Sequence, residues 1–268
     1  MAWILARILP KREYRIFDED FDMLRLHFAP ALAALLLAVT RIASADVIFS
    51  DGTFNLSQYT ESTQFTSGAT GTFSQCASCG DPGTALDIQV TVPGTAGSGG
   101  GPGIYAQGFV NNTFGYDPLT QGTIAALSAS VDKNALINYA GTFGNTFRPL
   151  IEQDGNYYLA AVVGSSVTFP AGGGSTGYLA FSAPGLTAAD FQEYDFATAS
   201  FVAGMPNFAG DSMLFGLAQI TSSFSGTIEL QYDNLSVDVA SVPEPSSLFL
   251  LFGGMLSMVV AARTLRRS

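Results

Sequence analysis

The middle of the chain alternates apolar and polar residues, and this alternation constrains the fold more than any other feature. In Leu86–Val92 and again in Thr227–Tyr232, every second residue is apolar. Successive side chains of a strand point to opposite faces, so each segment buries one face and exposes the other. Glycine- and serine-rich turns separate the segments. The pattern therefore predicts an all-β domain.

About ten short strands are expected in one domain, residues 46–241. The other predicted strands are Ala45–Phe49, Phe109–Phe114, Thr123–Val131, Thr146–Glu152, Tyr157–Val163, Gly177–Ser182 and Met213–Ile220. Asp154 and Gly155 tolerate positive φ and predict a type I′ hairpin between two of these strands. Thr187, with Asp190 three residues later, predicts a capped helix of two turns. The fold class that follows is a β-sandwich of the jelly-roll or concanavalin-like type.

Charge is distributed unevenly along the chain. The whole chain has a net charge of −11, but residues 46–242 contain sixteen acidic residues against only Lys133 and Arg148, a net charge of −14. The remaining basic residues lie near the two ends. An acidic body repels phosphate backbones, so nucleic acid is excluded as a partner.

The first 45 residues resemble an export signal. From Met23, a short basic start precedes an apolar run and an Ala-Ser-Ala exit at residues 43–45. This order predicts a secretory signal peptide that is cleaved after Ala45. Residues 1–22 have mixed charge, so either translation starts at Met23 or the signal has an unusually long basic region.

The last residues predict a membrane anchor. Residues 246–262 contain no charge, and as a helix they extend about 25 Å, the short end of what a bilayer core accepts. Arg263, Arg266 and Arg267 follow at once, which predicts a cytoplasmic tail and an exported body.

The C-terminal 27 residues resemble a known sorting signal. The run Val242, Pro243, Glu244 and Pro245, followed by the apolar span and the arginines, closely resembles the PEP-CTERM signal of Gram-negative bacteria. The resemblance implies cleavage near the triplet by an exosortase, a membrane transpeptidase. It also implies sorting to the cell surface or extracellular matrix, in the context of exopolysaccharide production.

Histidine is absent from the predicted mature protein. The only histidine, His27, lies in the segment expected to be removed, as does the only tryptophan, Trp3. Catalytic triads, Cys-His pairs and imidazole zinc sites are therefore excluded, and any sugar-stacking surface must use Tyr or Phe.

One pair of acids is a candidate for catalysis. Glu193 and Asp195 partly resemble the E-x-D-x-x-E signature of laminarinase-like glycosidases, but Thr198 replaces the third acid. A catalytic site would need another carboxylate, such as Glu229, beside them. The alternative is a solvated loop.

Cys76 and Cys79 are spaced as in thiol oxidoreductases. Gly80–Gly83 follows and predicts a turn, whereas a reactive C-x-x-C pair lies at a helix N-terminus. Export to an oxidising compartment favours a structural disulfide, with a redox or metal role as the alternatives.

The last strand contains a change of phase. Ile228 and Tyr232 share one phase and Leu235 and Val237 the other, which predicts a β-bulge near Asp233. The ending resembles the last strand of jelly-roll carbohydrate-binding modules, which pairs with the first strand and often shares calcium with it. The resemblance implies Asp51 and Asp233 as calcium ligands; the alternative is an ordinary turn and bulge.

The sequence as a whole predicts an exported, non-enzymatic surface or matrix protein associated with exopolysaccharide. Its expected partners are the exosortase, a polysaccharide and, before processing, the membrane. No cofactor is expected beyond a structural calcium ion. The alternatives are a carbohydrate-active enzyme on a concanavalin-like fold and a purely structural matrix protein.

Overall fold

A computed structural model describes most of the body of the chain. It covers residues 46–65, 68–92, 104–137, 141–142, 144–160, 168–169, 174–222 and 226–242, together with Met255. All the strands of these segments lie in one compact unit, residues 44–244. The strands, numbered in chain order, are β1 (Val47–Asp51), β2 (Tyr59–Phe65), β3 (Thr70–Gly80), β4 (Gly83–Val92), β5 (Ile104–Tyr116), β6 (Thr123–Ile137), β7 (Gly141–Thr142), β8 (Gly144–Gln153), β9 (Asn156–Ala160), β10 (Thr168–Phe169), β11 (Gly174–Ser175), β12 (Leu179–Leu186), β13 (Phe191–Asp195), β14 (Ser200–Phe201), β15 (Met213–Ser222) and β16 (Gly226–Val242).

Two seven-stranded antiparallel sheets contain most of these strands. In sheet A the order is β3, β4, β16, β6, with β12 and β11 on the outer edge of β6 and β1 on β16. In sheet B the order is β14, β13, β9, β8, β15, β5, β2. β7 and β10 form a separate small sheet.

The two sheets face each other across a shared apolar core. Leu86, Ile88 and Val90 of β4 are fully buried, and Asp87 and Gln89 between them point away from the core. One cluster contains these residues of sheet A together with the inward residues of sheet B. The all-β prediction and the sandwich architecture are thus confirmed.

Aromatic contacts join the sheets directly. Phe49 of β1 packs on Phe114 of β5 and Phe215 of β15, with ring centroids 5.3 and 5.7 Å apart. Phe73 of β3 meets Phe109 of β5 edge to face at 5.3 Å. Rings at these separations add favourable packing to the area they bury.

The predicted pairing of the first and last strands is confirmed. β1 runs antiparallel to the second half of β16, with Val47 opposite Val239. The pairing of β16 with β6 shifts between Asp233 and Ser236, and Asn234 has a φ of 52°. This is the predicted bulge, and it brings both halves of β16 into phase with the core.

The predicted hairpin at Asp154 and Gly155 is also confirmed. Their φ angles are 55° and 79°, and Gln153 pairs with Asn156 across the turn. Positive φ at both central residues is the type I′ geometry, which matches the twist of the flanking strands.

The predicted two-turn helix after Thr187 is wrong. A single 3-10 turn, Ala188–Asp190, is present, although the Asp190 carboxylate accepts hydrogen bonds from both Thr187 N and Thr187 Oγ1. Phe191 then enters β13 and is buried opposite Ala160. Burial in the sheet therefore ends the helix that the cap begins. The other helical elements among the described residues between 46 and 242 are a four-residue helix, α1 (Pro118–Gln121), and a 3-10 turn at Leu56–Gln58.

The predicted targeting segments lie outside the described residues. These are the signal peptide in residues 1–45, the sorting triplet in residues 243–245 and, apart from Met255, the predicted membrane helix in residues 246–262. Val242 is the last residue of β16 and is exposed. Within the described part of the chain, no helix has the length and apolar character that crossing a bilayer requires.

Candidate functional site

The outer face of sheet B, which points away from the core, carries a second apolar cluster. Its small and aliphatic members come from the strands themselves and are buried. They are Ala106, Val110, Leu150, Leu159 and Ala218. The outer face of a sandwich normally contacts water, so an apolar face here needs a cover.

Aromatic side chains supply part of that cover. Phe196, which follows β13, lies over Gly108 so closely that an added Cβ would be 2.6 Å from its Cζ atom. Its ring contacts Tyr194 and Tyr157 edge to face, with centroids 4.9 and 5.3 Å apart. Tyr194 in turn contacts Phe201 at 4.9 Å, and the Phe201 side chain is 39% exposed. We call Tyr157, Tyr194, Phe196 and Phe201 the aromatic cluster.

An arginine lies at the edge of the aromatic cluster. The Arg148 guanidinium is 5.1 Å from the centroid of the Phe201 ring. Burial lowers the pKa of Arg148, and the charge of Tyr194 when ionised would oppose that shift. Burial likewise raises the pKa of Tyr194 to about 12, so its hydroxyl is protonated at neutral pH. The face therefore presents a partly buried cation beside the exposed Phe201 ring, and the phenol of Tyr194 is buried next to them.

A cavity with acidic walls opens at one end of sheet B. Its volume is about 500 Å³, and its polar walls come from the end of β5, α1, the β8–β9 hairpin and the start of β15. The lining residues are Gly115, Tyr116, Asp117, Gln121, Glu152, Asp154, Ser212, Met213 and Leu214. We call this space the acidic cavity.

The acidic cavity is next to the aromatic cluster. Glu152 of β8 lies directly opposite Tyr157 of β9. Glu152 Oε1 accepts a hydrogen bond of 2.8 Å from Gly155 N, and Asp117 Oδ1 accepts one of 3.0 Å from Leu119 N. These bonds orient two carboxylates and leave acceptor capacity on both. Carboxylates beside aromatic rings match the hydroxyl groups and apolar faces of sugars.

A polar row crosses the opposite surface, the outer face of sheet A. Asn134 Nδ2 donates to Gln231 Oε1, and Gln231 Nε2 donates to Glu229 Oε1, both at 2.9 Å. Burial and the nearby charge of Glu229 raise the pKa of Asp87 to about 6. Amide side chains that bond one another in this way occupy their own hydrogen-bonding groups, so the row stabilises the sheet. No local pattern in the sequence predicts this row, because its members come from β4, β6 and β16.

The two predicted calcium ligands are both held by internal hydrogen bonds. Asp51 Oδ1 accepts from Thr53 N and Phe54 N at 2.7 and 2.9 Å, and Asp51 Oδ2 accepts from Tyr59 Oη at 2.8 Å. Asp233, fully buried, accepts from Asp81 N at 2.6 Å.

These contacts correspond to the turn and bulge that were the alternative to calcium. The described residues contain no group of three or more acidic, histidine or cysteine side chains suited to a metal ion. Calcium at Asp51 and Asp233 stays a prediction, and the melting temperature measured with and without a chelator tests it.

The candidate catalytic acids do not come together. Asp195 Oδ1 accepts from Ala197 N and Oδ2 from Thr198 Oγ1, both at 2.8 Å, so it caps a turn. Glu193 belongs to β13 of sheet B, next to the edge strand β14, and its side chain lies against Gly204, whereas Glu229 lies on β16 of sheet A. The hypothesis of three acids on one face is not supported by this placement.

Cys76 and Cys79 form a disulfide near the end of β3. The predicted turn follows at Asp81 and Pro82, between β3 and β4. Tyr178 Oη donates a hydrogen bond of 2.6 Å to the Cys79 carbonyl. The disulfide thus belongs to the β3–β4 hairpin at the edge of sheet A, and the Tyr178 hydroxyl bonds to that hairpin.

Comparison with solved structures finds carbohydrate-binding modules, at low similarity. The family 11 carbohydrate-binding module of a cellulosomal cellulase of Clostridium thermocellum has 11% identity and a TM-score of 0.40, and the match covers 75% of this chain and 98% of that one. A xylan-binding domain from Paenibacillus barcinonensis has 12% identity and a TM-score of 0.33, with 75% and 99% covered. No protein-family model matches the chain, and no curated protein sequence is similar to it.

Proposed function

We propose that this protein is a non-catalytic polysaccharide-binding module whose binding face is the outer face of sheet B. The observation that carries the proposal is the register that places Glu152 of the acidic cavity directly opposite Tyr157 of the aromatic cluster. Sugar rings stack on aromatic faces, and carboxylates accept hydrogen bonds from their hydroxyls. The pairing of first and last strands supports a jelly-roll type of sandwich.

We further propose export and sorting by an exosortase. The support is the order of the C-terminal motifs in the sequence: Val242 to Pro245, an apolar span and terminal arginines. Such sorting would place the binding face outside the inner membrane, at the cell surface or in the extracellular matrix, where polysaccharide is available. The exposed Val242 side chain at the end of β16 is compatible with an accessible cleavage region.

Affinity gel electrophoresis of the full-length chain in mild detergent tests the binding function. Gels would contain xylan, laminarin, glucomannan or a soluble cellulose derivative. At least one polymer should retard the wild-type protein, and the double variant Glu152→Gln, Asp154→Asn should lose that retardation. Both substitutions preserve size, and the amide oxygen of the new side chain at position 152 would still accept from Gly155 N.

The matched control removes two charges from the other sheet. Asp81→Asn with Asp238→Asn changes the net charge by the same amount at sheet A, where Asp238 lies opposite Ser128. This variant should be retarded like the wild type. No retardation by any polymer, or equal loss in both double variants, would overturn the proposal.

A further inference from the structure

Arg148 is an unpaired cation in a strongly acidic body. Residues 46–242 have a net charge of −14, and their other basic residue, Lys133, is buried. Across the described segments, the Arg148 side chain has neither a hydrogen bond nor a carboxylate within 4 Å; its contact is the Phe201 ring. The Nε atom is buried and without a partner. With so many acids available, an unpaired arginine on a sheet surface requires an explanation.

Two further polar groups near Arg148 also lack partners. The Tyr194 side chain is 2% exposed. Neither its hydroxyl nor the buried Thr146 Oγ1 atom has a hydrogen-bond partner among the described residues. Thr146 precedes Arg148 by two residues on β8, so the two side chains lie on the same face of sheet B. Tyr194 packs on the same Phe201 ring that Arg148 faces. We call Thr146, Arg148, Tyr194 and Phe201 the donor cluster.

Unsatisfied polar groups in such positions are costly. A buried donor without a partner retains its desolvation penalty, and a partly desolvated cation retains more. A bound anion would remove that cost at Arg148, whose side chain is only partly buried. The guanidinium offers a planar fork of N–H donors that matches a carboxylate.

We propose that the donor cluster binds the carboxylate of an acidic sugar, a uronic acid residue, within the polysaccharide. The inference rests on the proposed function and specifies its ligand class. The exposed Phe201 ring provides a stacking surface for the sugar that carries the carboxylate.

The charge of the body restricts the ligand further. A net charge of −14 repels a polymer that carries a carboxylate on every residue. Widely spaced uronates on a neutral backbone avoid this repulsion. Glu152, four residues along β8 from Arg148, is about 13 Å away at strand spacing, beyond the Debye length at physiological salt. The acidic cavity can therefore bind neutral residues of the same polymer.

The test compares one polymer in two charge states. Glucuronoxylan carries widely spaced uronates on a neutral xylose backbone, and chemical reduction converts its carboxylates to alcohols. The full-length wild type should bind the native polymer about tenfold more tightly than the reduced one, the contribution of a charge-assisted pair. In Arg148→Gln the ratio of the affinities for native and reduced polymer should fall to about one. Arg148→Lys should give an intermediate ratio, because an ammonium lacks the planar fork.

Folding and sugar specificity are controlled separately. Circular dichroism melting identifies any Arg148 variant that fails to fold. Phe201→Leu removes the ring but keeps an apolar side chain, and it should also lower the ratio of the affinities for native and reduced polymer. Free glucuronate should compete with glucuronoxylan, and acetate at the same concentration should not.

The outcomes separate this inference from the proposed function. Equal affinity of the wild type for native and reduced polymer overturns the uronate site and leaves polysaccharide binding intact. Binding of neither polymer, nor of any other polysaccharide, overturns the proposed function itself. Competition by acetate as strong as that by glucuronate overturns recognition of a sugar carboxylate.

Discussion

At the scale of single residues, Asp51 stabilises the turn after β1 through hydrogen bonds to its carboxylate. Its carboxylate accepts hydrogen bonds from Thr53, Phe54 and Tyr59. Asp51→Ala should lower the free energy of unfolding by about 2 kcal/mol, because four donor groups of these three residues lose a charged acceptor. Asp51→Asn, which keeps one oxygen, should lose less. Urea denaturation at pH 7 measures both, and equal unfolding midpoints for wild type and Asp51→Ala would contradict this role.

The Asp51 contribution should depend on pH in a defined direction. Burial alone would raise the pKa of Asp51, but the hydrogen bonds from Thr53 and Tyr59 outweigh it and hold the pKa below its usual value. A lowered pKa in the folded state means that the stabilisation is present above about pH 4. It is lost as the pH falls through the folded-state pKa. The difference in stability between wild type and Asp51→Ala should therefore shrink at acidic pH.

Asp87 should have the opposite pH dependence. Burial first, and then the charge of Glu229, raise its pKa to about 6, so the folded state binds a proton more tightly than the unfolded one. Stability should fall as the pH rises from about 4 to 6. Asp87→Asn should remove this dependence and stabilise the protein at pH 7 by about 1 kcal/mol, after allowance for solvent screening. Melting curves from pH 4 to 8 measure it, and the same slope in wild type and variant would contradict the assignment.

Residue-level prediction from sequence succeeded where a local pattern carried the information. The phase change at Asp233 and the pair Asp154–Gly155 each predict a local backbone geometry, and both geometries are present. Arg148 and Phe201 were missed as a site because they are 53 positions apart and meet only when β13 and β14 join sheet B. Lys133 was missed as a core residue because charge predicts exposure, yet burial lowers its pKa to about 7.

At the scale of elements, Gly108 of sheet B permits the close approach of the turn that contains Phe196. Gly108→Ala should destabilise the protein by about 1–3 kcal/mol, since the new Cβ would be 2.6 Å from Phe196 Cζ and the aromatic cluster must move. Gly115→Ala on the same strand is the matched control, because its Cβ would meet Leu214 at an ordinary 3.5 Å. Urea unfolding of both variants measures the difference. Equal stabilities would show that Phe196 does not need Gly108.

Strand prediction from sequence located nine strands, β1, β4, β5, β6, β8, β9, β12, β15 and β16, and missed β2, β3, β13 and the two-residue strands. β4 and the first half of β16 alternate cleanly and were predicted within a few residues of their bounds. β2 and β3 were missed because edge strands rich in Ser, Thr and Gly bury little and show no alternation. β13 was missed because its N-terminal cap indicates a helix, and tertiary burial of Phe191 overrides that local signal.

At the scale of the whole molecule, the predicted sorting signal should act independently of the folded body. In cells with an exosortase, Pro243→Ala with Pro245→Ala should leave the protein uncleaved in the membrane fraction, because the triplet is lost. Thr264→Ala, in the basic tail, should be processed normally. Immunoblots of cell fractions measure both. Normal release of the double variant would contradict the role of the triplet.

The account as a whole depends on the outer face of sheet B being the polysaccharide-binding face. A crystal structure with a short oligosaccharide, taken from the polymer that retards the protein most, tests this directly. The account predicts sugar rings against Tyr157 and Phe201, with hydroxyl groups bonded to Glu152 or Asp154. Sugar bound on the polar row of sheet A, around Gln231 and Asn134, would contradict it.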